Sequence, residues 1–194
     1  EFRLSPMLLL GEPGIGKTFL ASQLADALGV PSEKISAGGG HGSFQLTGSH
    51  STWTGAQPGA VAALLAKSAF AAPVLVIDEV DKLSDGRHPL LPVLLDLLDA
   101  GTAKRFRDEY FEMELDASRM VVVLTANDIG KVPAPLLSRV QVFTVPAPQP
   151  AQRLRIIEQT MAALVRKTGH CIGLAPGAPQ QLSPRMDIDL RHLH

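Results

Sequence analysis

The chain has 194 residues, 45% hydrophobic and 19% charged, with a formal net charge of −1. That hydrophobic content excludes wholesale disorder, and the charge balance leaves no global basic field for nucleic acid or an anionic membrane. The longest apolar stretch, Ala69–Ile77, is far shorter than the roughly 20 residues that cross a bilayer, and a single cysteine, Cys171, excludes an internal disulfide framework.

In chain order, Met7–Leu10 reads as a short buried strand. Gly11-Glu12-Pro13-Gly14-Ile15-Gly16-Lys17-Thr18 follows and fits G-x-x-x-x-G-K-[ST]. Lys17–Leu28 is predicted helical, with Leu20, Leu24 and Leu28 at four-residue spacing and Gly29 then Pro31 as its stop. Lys34–Ala37 is a weaker strand. Pro58–Phe70 is an Ala-rich helix with Val61, Leu64 and Leu65 on one face. Val74–Ile77 is a buried strand that ends in Asp78-Glu79, and Pro89–Leu98 is a helix carrying Leu90, Val93, Leu94, Leu97 and Leu98. Lys104, Arg105 and Arg107, interrupted by Phe106, suit a solvated hairpin or loop. Met120–Thr125 and Val140–Val145 are further strands, and Ala151–Val165 is a helix with Leu154, Ile157, Met161 and Leu164 on one stripe. Residues 167–186, rich in Gly, Pro, Gln and Ser, read as a linker, and residues 187–194 as the start of another helix. Continuous apolar strands alternating with helices predict a doubly wound α/β domain, its parallel sheet covered by helices on both faces.

The chemistry lies in the turns. Triphosphate oxygens need several backbone N–H groups at once, and Gly14 and Gly16 let the chain curl around them. The N-terminus of the following helix adds the positive end of its dipole. Lys17 can reach the β- and γ-phosphates, and the Thr18 hydroxyl can ligate Mg²⁺. The expected nucleotide-binding residues are therefore Gly11 to Thr18, with Phe19 beside them. A hydrophobic strand leads Asp78 to the C-terminal edge of the sheet, where open α/β folds bind ligands. There Asp78 can hold the Mg²⁺ shell, and Glu79 can act as general base on the attacking water. The six histidines show no zinc-like spacing, and no G-x-S-x-G pattern is present. A cytoplasmic domain is expected, since no secretory leader pattern opens the sequence.

These two motifs, with Leu124-Thr125-Ala126-Asn127 and Pro135-Leu136-Leu137-Ser138-Arg139-Val140, resemble an AAA+ ATPase, and most of all the ATPase module of Lon-type proteases. The likeness runs over roughly residues 5–165. Gly38-Gly39, Gly48–Gly59, Ile77–Lys82, Leu94–Asp99 and Phe106–Phe111 carry it toward Lon in particular. The resemblance implies a five-stranded P-loop NTPase sheet, with ATP and Mg²⁺ as cofactors. It implies that Asn127 is the sensor that orients the lytic water; residue chemistry alone also allows an Asn that caps the turn after a strand. It implies that Arg139 is an arginine finger acting on a neighbouring subunit in a ring, expected to be a hexamer. Residue chemistry alone also allows a surface Arg in a local contact.

The same resemblance makes Gly48–Gly59 a pore loop gripping unfolded polypeptide, with Thr52, Trp53, Thr54 and Gly55 as its contact residues. Taken alone, a single Trp points instead to core burial. Lon usually has Tyr and an apolar residue where this chain has Trp53 and Thr54. The loops around Asp85–Pro89 and Ala100–Ala103 are also altered. Asp189–Leu193 resembles the sensor-2 stretch, which makes Arg191 a candidate phosphate contact. Residues 1–166 are thus expected to form the large ATPase subdomain, 167–186 a linker, and 187–194 the start of an incomplete helical lid. No segment resembles the Ser–Lys peptidase domain. The expectation is an ATP-driven module that unfolds or translocates polypeptide, with no membrane or nucleic-acid partner. The alternatives are a protease-less Lon-like remodeller, or an ATP-gated assembly or nucleic-acid AAA+ module.

Overall fold

Helices separate successive strands of the main sheet in the computed structural model, which describes residues 4–39, 42–70, 72–83 and 88–149, together with 151, 152, 154–156, 158 and 162. Among the described residues the strands are β1 (Met7–Leu10), β2 (Ser32–Ser36), β3 (Val74–Asp78), β4 (Phe106–Asp108), β5 (Met113–Leu115), β6 (Val121–Ala126) and β7 (Gln141–Thr144). The helices are α1 (Lys17–Leu28), α2 (Phe44–Thr47), α3 (Ala60–Lys67), α4 (Leu90–Leu98), α5 (Ala100–Ala103) and α6 (Ala134–Leu137). The chain divides into two units, Glu1–Leu10 with Lys17–Thr144, and Gly11–Gly16 with Val145–His194.

In the first unit, five strands form one parallel sheet in the order β2-β3-β6-β1-β7. The two Val-rich strands, β3 and β6, lie side by side near its middle. Every residue of β6 is buried, as are the first four of β3, which suits a sheet covered on both faces. β2 tolerates Ser, Glu and Lys because it is an edge strand whose one buried residue is Ile35. A separate antiparallel hairpin joins β4 to β5. No helix among the described residues is long and apolar enough to cross a membrane.

All five predicted strands are present, shifted by one or two residues at most ends. One helix face differs from expectation. α1 buries Lys17, Ala21 and Ala25, while Leu20 and Leu28 are about half exposed. Small Ala side chains let the helix lie close against β3 and β6, and the leucine stripe faces away. α3 is shorter than Pro58–Phe70. Gly59 is its N-cap, and Ser68 leaves helical geometry at φ −90° and ψ 130°, its hydroxyl bonding the Phe70 carbonyl. Residues 151, 152, 154–156, 158 and 162 are helical, within the predicted Ala151–Val165 helix. The expected linker 167–186 and lid start 187–194, with Arg191, lie outside the described residues.

Candidate functional site

Parallel register aligns the strand ends. Leu10 of β1 pairs with Ala126 of β6, and Ile77 of β3 pairs with Leu124. The residues that follow β3 and β6 therefore emerge together at the C-terminal edge of the sheet, where crossovers run to opposite sides and ligands bind. Asp78 ends β3 there. Its Oδ1 accepts a hydrogen bond from the Thr18 hydroxyl at 2.9 Å and a second, short one from the Thr125 hydroxyl. Thr125, 1% exposed, also accepts the backbone N–H of Glu79 at 3.0 Å. One buried hydroxyl thus ties both acidic residues to the neighbouring strand.

Glu79 adopts φ 61° and ψ 51°, a left-handed backbone that costs a non-glycine residue about 1–3 kcal/mol. Such strain is held where surrounding bonds over-determine it, and the Thr125 contact is one of them. Its carboxylate meets the Lys82 ammonium at 2.8 Å, with the Glu79 side chain only 22% exposed.

Lys17 opens α1 and is buried, its ammonium donating to Asn127 Oδ1 at 2.8 Å. A cation at the positive end of a helix dipole is disfavoured by that dipole. The pair of positive features makes this corner receptive to an anion. Asn127 is positioned in turn by Asp81, whose Oδ2 accepts the N–H groups of Asn127 at 3.1 Å and Asp128 at 3.3 Å. The other Asp81 oxygen is buried with no hydrogen-bond partner among the described residues.

Residues 11–16 run directly into Lys17. Within their own unit, Gly14 (φ 79°) and Gly16 (φ 95°) take backbone conformations that suit glycine. Gly14 is buried, Gly11, Ile15 and Gly16 are half-buried, and Glu12 and Pro13 are exposed. Phe19 is also exposed, at 47%.

Two other expected residues stand apart from this cluster in their contacts. Arg139 is exposed after α6 and bonds the Pro135 carbonyl at 3.0 Å and the Ser138 hydroxyl at 3.3 Å. The Asp99 carboxyl is held below its ordinary range, first by the Thr102 N–H, then by that of Gly101, with the Arg139 charge a smaller cause. Trp53 is 53% exposed on a loop where Thr52, Thr54 and Gly55 are exposed too, so it is not a core tryptophan.

The donors around Asp78 are oxygens, and Thr18 Oγ1 already lies against its carboxylate. Such hard ligands suit Mg²⁺, which takes one or two protein groups and fills its shell with water and phosphate oxygens. The residues present fit that ion. Thr125, Asp81 and Lys82 join the site beyond the residues that the motifs mark. A lone hydroxyl in the otherwise apolar strand Val121–Ala126 was a usable signal for Thr125, and the three-residue spacing of Glu79 and Lys82 for their ion pair.

The family described as "ATPase family associated with various cellular activities (AAA)" matches residues 7–146. Lon protease 4 of Sorangium cellulosum is 37% identical over 155 residues, covering 79% of this chain and 19% of that protein. The Lon protease of Neorickettsia sennetsu is 36% identical over 168 residues, covering 86% and 20%. The mitochondrial Lon protease homolog of Phaeodactylum tricornutum is 35% identical over 182 residues, covering 93% and 20%. The chain spans about a fifth of the length of these relatives. A closed-state cryoEM structure of Hsp104 with ATPγS and FITC casein matches with a TM-score of 0.74 at 20% identity, covering 98% of this chain and 38% of that one. At that identity the match speaks for the fold.

Proposed function

This chain belongs to the AAA family of ATPases, and on that premise we propose that it binds and hydrolyses Mg·ATP as a motor module that unfolds or translocates polypeptide. The observation that carries the reading is the hydrogen-bonded cluster Thr18–Asp78–Thr125–Glu79, with Lys17–Asn127 beside it. Gly11 to Gly16 supply backbone N–H groups to the phosphates, and Lys17 exchanges its Asn127 contact for phosphate oxygens. Thr18 and Asp78 hold Mg²⁺, which when bound neutralises charge on the β- and γ-phosphates. Glu79 takes the proton from the attacking water once its carboxylate is free of Lys82. Asn127, held by Asp81, orients that water.

Arg139 lies outside the cluster's hydrogen bonds and is exposed, which supports its acting on a neighbouring copy in a hexameric ring. We place the activity in the cytoplasm.

Exposure of Trp53 on a glycine-flanked loop supports polypeptide as the substrate, since a flat aromatic binds extended chain with little sequence preference. The test is phosphate release with and without unfolded casein. Stimulation in the wild type and its loss in Trp53→Ala are expected. Wild-type turnover that casein never raises would refute the polypeptide reading.

A further inference from the structure

Asp108 is a charged residue with no exposed surface, and the ATP chemistry does not use it. Its two oxygens serve different parts of the chain. Oδ1 accepts the N–H groups of Tyr110 and Phe111, both at 3.0 Å, and so closes the turn between β4 and β5. Oδ2 accepts the N–H of Gly59 at 3.0 Å, 49 residues away, at the foot of the loop that carries Trp53.

That loop is built as a closed ring of backbone. The Ser49 N–H donates to the Gln57 carbonyl at 3.1 Å, and the Gln57 N–H returns to the Ser49 hydroxyl at 3.2 Å. A Cβ on Gly59 would lie 2.0 Å from the Leu46 carbonyl oxygen, so the two feet touch only because that residue is glycine. At the loop's crown, the Trp53 N–H donates to the His50 carbonyl, and the Phe44 and Trp53 rings meet nearly at right angles with centroids 5.4 Å apart. The hairpin touches the same assembly twice more. The Glu109 N–H donates to the Thr47 carbonyl at 2.7 Å, and Glu112 meets the His50 ring at 3.3 Å.

We propose that Asp108 is a positioning residue, a buried clamp that fastens the foot of the Trp53 loop to the β4–β5 hairpin and holds Trp53 outward for polypeptide. Its consequence for substrate rests on the polypeptide reading above; the clamp itself does not. The Gly59 bond, braced by the Glu109 and Glu112 contacts, makes the hairpin's position the setting of the loop.

The two oxygens make the test selective. In Asp108→Asn only one acceptor remains. Two N–H groups of the turn compete for it, so the amide NH₂ faces the Gly59 N–H, donor against donor. Loss of a buried bond to a charged acceptor should lower the exchange protection of the Gly59 amide about tenfold to a hundredfold. Protection at Val123 in β6 should stay as in the wild type. Trp53 is the only tryptophan in the chain, so its fluorescence anisotropy should fall and its quenching by acrylamide should rise. The casein concentration giving half-maximal stimulation should rise several-fold. Unchanged Gly59 protection and unchanged Trp53 anisotropy in the folded variant would overturn the clamp. If Asp108→Asn also loses β6 protection, Glu112→Ala removes only the outer brace. A fall in Trp53 anisotropy there supports the hairpin's role, and no change overturns it. Casein that fails to stimulate the wild type refutes the polypeptide reading alone, because Gly59 exchange still reads the clamp.

Discussion

Thr125→Val isolates the bond system that holds both acidic residues. Valine matches threonine in shape, so no cavity opens and the buried strand β6 keeps its packing. What is lost is one hydroxyl with two jobs: donation to Asp78 and acceptance of the Glu79 N–H. A hydrogen bond to a charged group contributes about 1.5–3 kcal/mol, and a buried N–H left without a partner costs about 1–3 kcal/mol. Removal of a buried hydroxyl that was itself desolvated offsets part of that sum.

The catalytic effect comes through Glu79, whose left-handed backbone loses the acceptor that fixes it. A fall in kcat of about tenfold to a hundredfold follows, equivalent to about 1.4–2.7 kcal/mol in the barrier. Nucleotide affinity should change far less, since the substitution leaves Lys17 in place to pass from Asn127 to the phosphates. The assay pairs steady-state phosphate release at saturating ATP with titration of a fluorescent nucleotide, and thermal melting checks the fold. Thr125→Ser, which keeps the hydroxyl, should recover most of the rate. A folded Thr125→Val protein whose kcat lies within about twofold of wild type would refute the positioning argument.

Other outcomes follow from the same contacts. Arg139→Ala should bind ATP and hydrolyse it poorly. Mixing it with Lys17→Ala subunits should restore part of the activity, because each copy supplies what its neighbour lacks. Mixtures no more active than the separate variants would contradict action between subunits. For Asp99, bonds from the Thr102 and Gly101 N–H groups keep the folded-state pKa depressed. Its stabilising contribution is therefore present above the ordinary aspartate pKa and is lost as pH falls through the lower folded value. Denaturant melts between about pH 6 and pH 2.5 should show a smaller acid loss in Asp99→Asn than in wild type. Identical pH dependence of the two proteins would refute that assignment.

Much of this architecture was legible because its signals are local. Four-residue apolar runs with no polar partner have few homes besides a sheet covered on both sides, and β1, β3 and β6 follow from that alone. The run Gly11–Thr18 carries its own geometry, since Gly14 and Gly16 adopt the positive φ that glycine favours. Long-range devices were not legible. Nothing near Thr125 in sequence reveals that Asp78 and Glu79 will lie beside it, 46 or 47 residues away. The same holds for Asp81, which reaches Asn127 only after β3 and β6 pair. In α1 the most apolar stripe misled. Leu20 and Leu28 face outward because close approach to the sheet favours alanine over leucine at the contact. The hairpin is three residues per strand with Met113 and Glu114 exposed, too short and too polar on one side to leave a periodic trace.

On the proposed mechanism, Lys17 and Glu79 serve one ATP-hydrolysing site in separable roles, binding phosphate and activating water. Parallel measurement of nucleotide binding and phosphate release in wild type, Lys17→Ala and Glu79→Gln tests it directly. The expected result is loss of both activities in Lys17→Ala, and retained binding with turnover lowered about a hundredfold or more in Glu79→Gln. Wild-type phosphate release in both variants would contradict these roles.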